Sequence, residues 1–526
     1  VAEGLKLINS APAKSYANFF NKQDTVTSQT IAFTVAPKIN AAGRMGDANA
    51  ALSLFSETDE NKISALATKL LEYNTERQKR CDELYNSAKE MIRAKGGYGR
   101  IILLCNENWD SGFVGIVAAR IVEEFSRPAI LFVKHGDMLK GSARSIDTVN
   151  VFEALKACSE YIAEFGGHSQ AAGVNVSADN FATLENALEK YMCAHYSAED
   201  FVPSVYVSGT LDDNYSNKLV KELEMLEPFG VGNRRPLFAL KESAVAAKSI
   251  KNAHLSMKSR SLELMYFGGA KHRKLLQSSA EKTLIFEFNI SNFRGKEFIK
   301  GFVRDVVYDG NACSAAREDV ALSYLETLSS PVSGDMRTVS VADVAKLIKS
   351  GEEGIAYITW DNRSLARFEG QEKLNRDMFV PSLRNFSTTV LYAPSAEADL
   401  SGYKRVILLN DTYGLRLQLP EGVSAEICEG AAVPGYFEKF SCERDDLLSL
   451  FSEISSAPSA FNGENAFEAS KNSKYNNKLQ IMFALKVFEQ LGLVTFENCY
   501  TEVRRGVKSR LENSELYNIV KGGRSE

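Results

Sequence analysis

Apolar residues recur along one long segment with the period of an α-helix. Between Asp59 and Gly96 they follow one another every three or four positions, at Ile63, Leu66, Leu70, Cys81, Leu84, Ala88 and Met91. This spacing is typical of one face of a helix. Because the segment contains no proline before Gly96 and Gly97, it predicts a single helix of about 35 residues, long enough to join two domains.

After Arg100 the pattern changes to short apolar runs that alternate with helical stretches. It predicts three strands, at 101–104, 129–133 and 139–146. It predicts three helices, at 114–125, 151–165 and 180–194, with a glycine loop before the last one. Strands and helices in alternation indicate an α/β domain.

Short strands separated by turns follow Pro203 and continue to about Tyr308, which is typical of a small closed β-barrel. In the last third, predicted strands lie at 355–359, 389–392 and 406–409, between helical stretches. We expect a second α/β domain there. A stretch rich in Ser, Asn and Gly at 455–478 precedes a helix at 478–491 and a hairpin at 493–503, which together predict a winged-helix-like end. The predicted fold class is therefore multidomain α/β with an added β-barrel.

Length and composition agree with several folded domains. The chain has 526 residues, of which 44% are hydrophobic and 25% charged, and a chain of this length corresponds to roughly three or four domains. No apolar run approaches the roughly 20 residues that cross a bilayer, and the first residues lack a basic segment followed by an apolar one. The eight cysteines are never closer than 14 residues, which argues against zinc knuckles and suits reduced core thiols. We therefore expect a cytoplasmic protein without a membrane segment.

Overall charge gives no support to nucleic-acid binding, because the net charge is −5 and the pI about 5.8. Local charge differs, since residues 241–305 hold thirteen Lys or Arg against six Asp or Glu. Aromatic residues are interleaved with them: Tyr266, Phe267, Phe286, Phe288, Phe293, Phe298 and Phe302. A basic and aromatic surface suits single-stranded nucleic acid, but a solvated sheet face with its aromatics in the core would give the same pattern.

The segment Phe165-Gly166-Gly167-His168-Ser169-Gln170-Ala171-Ala172-Gly173 carries the sharpest chemical signal. Two glycines let backbone N–H groups approach an anion, and a following turn of helix would aim more donors at it. His168 adds a donor that is charged or neutral near pH 7. A tight turn with a satisfied histidine is the structural alternative.

A second phosphate-binding pattern lies on the predicted strand at 139–146. Lys140, Ser142 and Arg144 are two residues apart and so project from one face of a strand. The planar donors of arginine bind phosphate in a bidentate manner. Taken singly, Arg44 and Arg144 could equally form structural ion pairs.

These segments resemble RecJ-type exonucleases of the DHH phosphoesterase superfamily. The segment 165–173 is similar to the signature GGHxxAAG of the domain that accompanies DHH phosphoesterases. Four further strings resemble RecJ segments in the same order: APKINAAGRM at 36–45, WDSGFVGIVA at 109–118, KGSARSI at 140–146, and PFGVGN with PLF at 228–238. The resemblance is strong over residues 1–310 and loose beyond them.

The resemblance implies a division of the chain and a phosphate site. It implies the tail of a DHH domain at 1–58, a connecting helix at 59–96, a DHH-associated α/β domain at 97–200 and an OB-fold at 201–310. Beyond these, the residue pattern predicts a second α/β domain at 311–450 and a winged-helix-like domain at 451–526. The resemblance implies that the DNA backbone is held by Arg44, Ser142, Arg144 and His168. Strand spacing and the glycine pattern add Lys140, Gly166 and Gly167 to the expected phosphate site. The family usually has histidine where this chain has Asp110, which puts any role of a second imidazole in doubt. Trp109 is expected in the core.

RecJ catalysis is expected to need two Mn²⁺ or Mg²⁺ ions held by aspartates and an Asp-His-His triplet. The five histidines here are never adjacent, and no Asp-x-Asp occurs. We therefore expect the metal-binding half, which precedes the first of these motifs in the family, to be absent from this chain, which begins at Val1 within a helical pattern. No cofactor is expected to be bound by motifs of the chain itself.

In the barrel region we expect basic side chains to follow a single strand of DNA while aromatics stack on its bases. The candidates are Lys251, His254, Lys258, Arg260, Lys271 and Arg273. A single-strand-binding protein or a helicase are the expected protein partners. The last third has no Walker-type loop, so ATP hydrolysis is unsupported.

Three functions remain open. The first is a 5′ to 3′ exonuclease of single-stranded DNA in recombination and repair, with the nucleic-acid-binding portion present. The second is a catalytically inactive single-strand-binding or scaffold protein derived from RecJ. The third, a smaller DHH phosphodiesterase or a tRNA-editing module, is disfavoured by the barrel and the long tail.

Overall fold

A computed structural model describes most of the chain in two compact units. The first comprises residues 1–241, 256–267 and 283–306, and the second comprises 242–255, 268–282 and 307–526. The described residues are 1–10, 19, 26–95, 98–211, 217–230, 232–259, 262–293, 296–308, 317–329, 336–381, 388–395, 398–400, 402–412, 419, 423–435, 437–440, 442–462, 477–497, 500–504 and 506–522. Among the helices that these residues form, none has the length and apolar character of a membrane span.

The first unit begins with helices. These are α1 (Ala2–Ser10), α2 (Ser28–Thr30), α3 (Ala36–Arg44), α4 (Ala48–Ser56) and the 35-residue α5 (Glu60–Ala94). Asp59 caps α5 because its side chain accepts hydrogen bonds from the N–H groups of Asn61 and Lys62. The predicted long helix is thus confirmed.

A five-stranded sheet follows α5. Its elements are β1 (Ile102–Cys105), α6 (Val114–Phe125), β2 (Ala129–His135), β3 (Met138–Arg144), α7 (Val151–Ala157), β4 (Glu164–His168), β5 (Ala171–Ser177) and α8 (Phe181–His195). The strand order is β1-β2-β3-β5-β4, with β1 and β2 parallel and the other pairs antiparallel. One face of the sheet packs on α5 and α6 through Leu104, Leu131 and Val133, which share a core cluster with Val117 and Ile121.

The predicted helix at 151–165 and the glycine loop after it were wrong. The helix ends at Ala157, and the glycines lie in β4 of a β4–β5 hairpin. Glycine costs about 1 kcal/mol in a helix interior, whereas Phe165 and Val174 pair across the hairpin and continue the sheet. Small residues such as Ala171 and Gly173 carry little strand signal in the sequence.

The barrel region is a sheet of seven strands. Its elements are β6 (Gly209–Leu211), α9 (Asn217–Glu224), β7 (Phe238–Glu242), β8 (Ala246–Ile250), β9 (His254–Ser259), β10 (Leu262–Tyr266), α10 (Arg273–Gln277), β11 (Lys282–Phe293) and β12 (Lys296–Tyr308). Within the first unit the strands neighbour one another in the order β6-β7-β11-β12-β10-β9. Phe238, Phe286 and Phe288 are buried against one another inside it. The second unit holds β8 and α10.

The second unit contains a sheet of six strands, all of which pair in parallel. Its elements are α11 (Arg317–Ser329), β13 (Arg337–Val339), α12 (Val341–Ser350), β14 (Ile355–Thr359), α13 (Asn362–Ala366), β15 (Asn375–Met378), β16 (Thr389–Tyr392), β17 (Arg405–Asn410) and β18 (Ser424–Ala432). The order is β13-β18-β17-β14-β16-β15. The predicted strands at 355–359, 389–392 and 406–409 are confirmed, because buried β-branched and aromatic runs are typical of parallel strands.

The chain ends in helices and a hairpin. These are α14 (Arg444–Ser456), α15 (Lys478–Gln490), β19 (Val494–Glu497), β20 (Tyr500–Val503) and α16 (Glu515–Gly522). The predicted helix at 478–491 and hairpin at 493–503 are therefore confirmed as elements, while most of the Ser- and Asn-rich stretch lies outside the described residues.

Candidate nucleic-acid interface

Strand register brings Ser142, Arg144 and His168 to one face of the first sheet. Arg144 pairs with Ala171 of β5, which pairs with His168 of β4. Directly paired residues of antiparallel strands project to the same face, so Arg144 and His168 stand two strand spacings apart, roughly 10 Å at their Cα atoms. The side chains of both can therefore approach a group that lies between them.

Glycines keep this face open. Ser142 pairs with Gly173, which pairs with Gly166, so neither neighbour has a side chain there. A Cβ atom at Gly166 would meet nothing within 4 Å. Helix α6 covers the same face over β2 and β3, while Gly166, His168 and Gly173 are exposed. The result is a groove floored by glycine and bordered by polar side chains.

The start of α6 forms one wall of the groove. A Cβ atom at Gly115 would lie 2.9 Å from Ser142 Oγ and 3.0 Å from Arg144 Nη2, so glycine at this position permits the close approach of the two side chains. Arg144 Nη1 donates to Ser142 Oγ at 3.1 Å and to the Ala143 carbonyl at 2.7 Å. The N-terminus of a helix carries partial positive charge and free N–H groups. Together these groups favour an anion at this point.

Arg44 reaches the same wall from α3. Its Nη1 donates to the Gly112 carbonyl. Burial lowers the pKa of Arg144, and the charge of Arg44 lowers that pKa further, so the two guanidinium groups interact. Within the described parts of the chain, no ion pair joins either arginine to a carboxylate. The structural ion pairs considered for them are therefore not found among the described residues.

Lys140 lies at the far end of this face. It is exposed and pairs with Asn175, whose Nδ2 donates to Glu164 at 3.0 Å. The face is therefore basic at the Arg144 end and mixed in charge at the Lys140 end. Gly167 serves the backbone, because its φ is 152° and a Cβ there would lie 2.3 Å from the Ala171 carbonyl oxygen.

Asp110 is part of the loop that supports Arg44. Its Oδ1 accepts from Gly112 N–H at 2.8 Å, and its Oδ2 lies 3.8 Å from Arg80 Nη1. The carboxylate therefore shapes the loop whose carbonyl receives Arg44. Trp109 is buried and donates to Ser87 Oγ, as expected of a core residue.

The basic candidates of the barrel region lie in different places. Lys251, Lys258, Lys271 and Arg273 are exposed, and Arg260 lies outside the described residues. His254 Nδ1 accepts from Gly268 N–H at 3.0 Å. Of the described candidates only Lys258 belongs to the first unit; the other four belong to the second. Register does not unite them into one described face.

A face along β12 combines two of the interleaved aromatics with Lys300 and Arg304, which were not among the basic candidates. Phe298, Lys300, Phe302 and Arg304 alternate with buried residues and so project outward. Phe302 and the exposed Phe267 are in edge-to-face contact at 5.6 Å. Lys300 pairs with Glu263 at 3.2 Å and Arg304 with Glu287 at 2.6 Å. The alternation of aromatic and basic residues at 298–304 was the available signal.

Among the interleaved aromatics, the core alternative holds for three. Tyr266, Phe286 and Phe288 are buried, so they cannot stack on bases. The Phe293 side chain lies outside the described part of the structure.

The described residues do not fit a metal centre. Among them no group of three or more His, Cys, Asp or Glu side chains could hold an ion. On the groove face, His168 pairs with Ala171, and the described residues beyond it are Arg144, Ser142 and two glycines. This set of donors suits an anion and does not suit divalent cations, which require several carboxylates.

Comparison with known proteins identifies two domain families and several relatives that match this chain. A DHHA1 domain family matches residues 97–193, and a RecJ OB domain family matches 210–305. The single-stranded-DNA-specific exonuclease RecJ of Bacillus subtilis is 27% identical over 93% of this chain and 60% of its own length. The protein of the same name from Thermus thermophilus is 30% identical over 50% of this chain and 39% of its length.

A solved structure of Thermus thermophilus RecJ in complex with Mn²⁺ has a similar fold, with a TM-score of 0.50 and 19% identity over 91% of this chain and 64% of that one. The chain thus spans less than two thirds of the length of these relatives. The order of the two matched domains agrees with the sheets described above. The chain is homologous to the RecJ-family exonucleases and carries a DHHA1 domain followed by a RecJ OB domain.

Proposed function

We propose that this chain binds the backbone of single-stranded DNA as part of a RecJ-like 5′ to 3′ exonuclease of recombination and repair. The observation that carries the proposal is the groove in which Ser142, Arg144 and His168 surround a floor of glycine. A phosphodiester is the anion that this geometry fits, because guanidinium and hydroxyl donors converge where no side chain stands. Lys140, Gly166 and Gly167 belong to the same proposed site.

Electrostatics support this proposal. Arg44 and Arg144 hold two positive charges close together with no described carboxylate partner. Like charges at short distance cost free energy, and a bound phosphate would remove that cost. The groove therefore carries an excess of positive charge that a bound phosphate would neutralise.

The OB domain extends the proposed path of the strand. Phe267, Phe298 and Phe302 supply rings for base stacking, and Lys258 adds a cation in the same unit. Stacking on these rings does not depend on the identity of the base. An exonuclease that degrades DNA of any sequence requires contacts of this kind. The winged-helix-like end and the parallel sheet are proposed as docking parts for a single-strand-binding protein or a helicase.

The metal ions of the reaction, Mn²⁺ or Mg²⁺, are proposed to be held by residues outside this 526-residue chain. The lack of an Asp-His-His triplet and of any described carboxylate cluster supports this. The inactive, RecJ-derived binding protein is the alternative that the same observation favours. Both share the DNA groove.

Replacing Arg144 by alanine tests the groove. We expect Arg144→Ala to weaken binding of an oligothymidylate and to lower the slope of log affinity against log salt by about 1, because one phosphate contact is lost. Fluorescence anisotropy from low to moderate salt measures both. Lys134→Ala is the matched control, since Lys134 is an exposed cation of the neighbouring strand. Equal affinity and slope in Arg144→Ala and wild type would reject the groove.

A further inference from the structure

The inward face of α5 contains two polar residues, Asn74 and Arg77, at positions where the helical spacing predicts apolar ones. Its buried positions are Ile63, Ala67, Leu70, Cys81, Leu84, Ala88 and Ile92. The spacing of three or four continues from Leu70 through Asn74 and Arg77 to Cys81. Asn74 and Arg77 therefore occupy the inward face of the helix.

These two residues lie between separate core clusters. Before them, Leu70 packs with Ala42 and Leu54 of α3 and α4. After them, Cys81 and Leu84 pack with the α6 cluster. Arg80, three residues after Arg77, lies 3.8 Å from Asp110, which belongs to the loop whose Gly112 carbonyl accepts from Arg44. This part of α5 therefore lies beside the loop before α6.

Both residues have buried atoms without hydrogen-bond partners in the described parts of the chain. The atoms are Arg77 Nε and Asn74 Oδ1. A buried donor or acceptor without a partner costs free energy, and an apolar side chain would not incur that cost. A group that costs stability at a core position is expected where it serves a ligand.

The charge of Arg77 is not balanced by a carboxylate, unlike that of its neighbours. Arg80 pairs with Glu76 at 2.7 Å, and Arg120 pairs with Asp82 at 2.7 Å and lies over the Tyr85 ring. No described ion pair involves Arg77.

Packing brings the end of α3 to the same part of α5, because Met45, which follows Arg44, packs against the core cluster that contains Cys81. Burial raises the pKa of the Cys81 thiol, and Arg77, Arg120 and Arg44 act against that rise. Arg44 and Arg77 therefore lie near the same thiol, and Arg44 in turn interacts with Arg144. Among the described residues, none of these three arginines forms an ion pair with a carboxylate.

We propose that Arg77 contacts a second backbone phosphate of the strand whose first phosphate lies at Arg144. This inference rests on the proposed function. One phosphodiester carries one negative charge, so three uncompensated guanidinium groups exceed what a single phosphate neutralises. Arg44 lies between the two contacts and serves both.

Arg77→Met separates this role from a structural one. We expect Arg77→Met to raise the thermal midpoint, because an apolar side chain replaces a buried unpaired donor, and to weaken binding of oligothymidylate about tenfold with a salt slope lower by about 1. Arg77→Lys should keep the slope. Lys79→Ala, which removes an outward cation of the same helix, should change neither.

The outcomes distinguish the two proposals. Arg77→Met with wild-type affinity and slope, beside a weakened Arg144→Ala, overturns the second contact and leaves the groove. Wild-type behaviour of both variants rejects the groove as well. If Arg77→Met fails to fold, the guanidinium is structural, and a wild-type salt slope of Arg77→Ala then overturns the contact independently.

Discussion

At the scale of single residues, the two glycines of the β4–β5 hairpin have different roles. Gly167 has a φ of 152°, and a Cβ there would collide with the backbone of Ala171 and Ala172. Gly166 has open space beside it and faces Ser142 across Gly173. Gly167 is thus needed for the backbone of the hairpin, whereas Gly166 leaves open space on the groove face.

Alanine at position 167 should therefore change the stability of the protein, whereas alanine at position 166 should change its binding of DNA. Gly167→Ala is expected to lower the free energy of unfolding by roughly 1–3 kcal/mol, because a strained backbone and a clash are introduced. Gly166→Ala should leave stability unchanged and weaken binding of single-stranded DNA. Denaturation and anisotropy on the same samples measure both. Wild-type affinity in a folded Gly166→Ala variant would contradict the proposed position of the phosphate.

The sequence was sufficient to select the groove residues, but it did not predict how they are arranged. The spacing of Ser142 and Arg144 follows from strand period alone. The place of His168 depends on the register between β4 and β5, which is a long-range pairing that local pattern does not contain. Arg77 was missed because a charged residue within a helix is usually solvated, and only the surrounding core reveals that it points inward.

At the scale of elements, a half-buried histidine, His272, directly precedes α10. Burial lowers the pKa of His272 to about 4, with the charge of Lys271 as a smaller cause. An unfolded histidine has a pKa near 6.5. As the pH falls below about 6.5, the unfolded segment binds a proton and the folded one does not, so stability is lost from there down to about pH 4.

Acid should therefore loosen α10 before it affects the first sheet. We expect local stability at α10 to fall by roughly 2 kcal/mol between pH 7 and pH 5. Hydrogen exchange of peptides that cover α10 measures this, after correction for the intrinsic pH dependence. His272→Gln should abolish the loss, while His135→Gln, at an exposed position, should retain it. A pH-independent α10 in the wild type would show that His272 is not held neutral.

Long periodic elements were predicted well and short glycine-containing ones were not. The helix at 114–125 and the strand at 355–359 have the predicted bounds, because their apolar positions are dense and their ends are marked. The strands β4 and β5 were read as helix and loop, since alanine and glycine leave the choice to tertiary pairing.

At the scale of the whole molecule, the groove lies within the first unit, together with the β12 face of the OB domain. The second unit holds the parallel sheet, where Ser323 Oγ of α11 donates to the Ala393 carbonyl at 3.0 Å. Helix α11 thus contacts the loop after β16, at the edge where parallel sheets commonly bind ligands.

The proposed separation of the DNA-binding groove from the metal centre leads to a prediction for the 526-residue polypeptide. With Mn²⁺ or Mg²⁺ it should bind single-stranded DNA without cleaving it, because the residues that would hold the metals are proposed to lie elsewhere. Release of nucleotides from a 5′-labelled oligomer measures this. Robust cleavage that survives further purification would place a metal site within this chain.

The contact between Arg144 and one backbone phosphate can be measured directly. A series of oligothymidylates, each with one phosphate replaced by an uncharged methylphosphonate, is titrated with wild type and Arg144→Ala. At one position the neutral linkage should weaken the wild type and leave Arg144→Ala unaffected, because the lost charge has no partner in the variant. If every substitution costs Arg144→Ala as much affinity as it costs the wild type, Arg144 does not hold a phosphate.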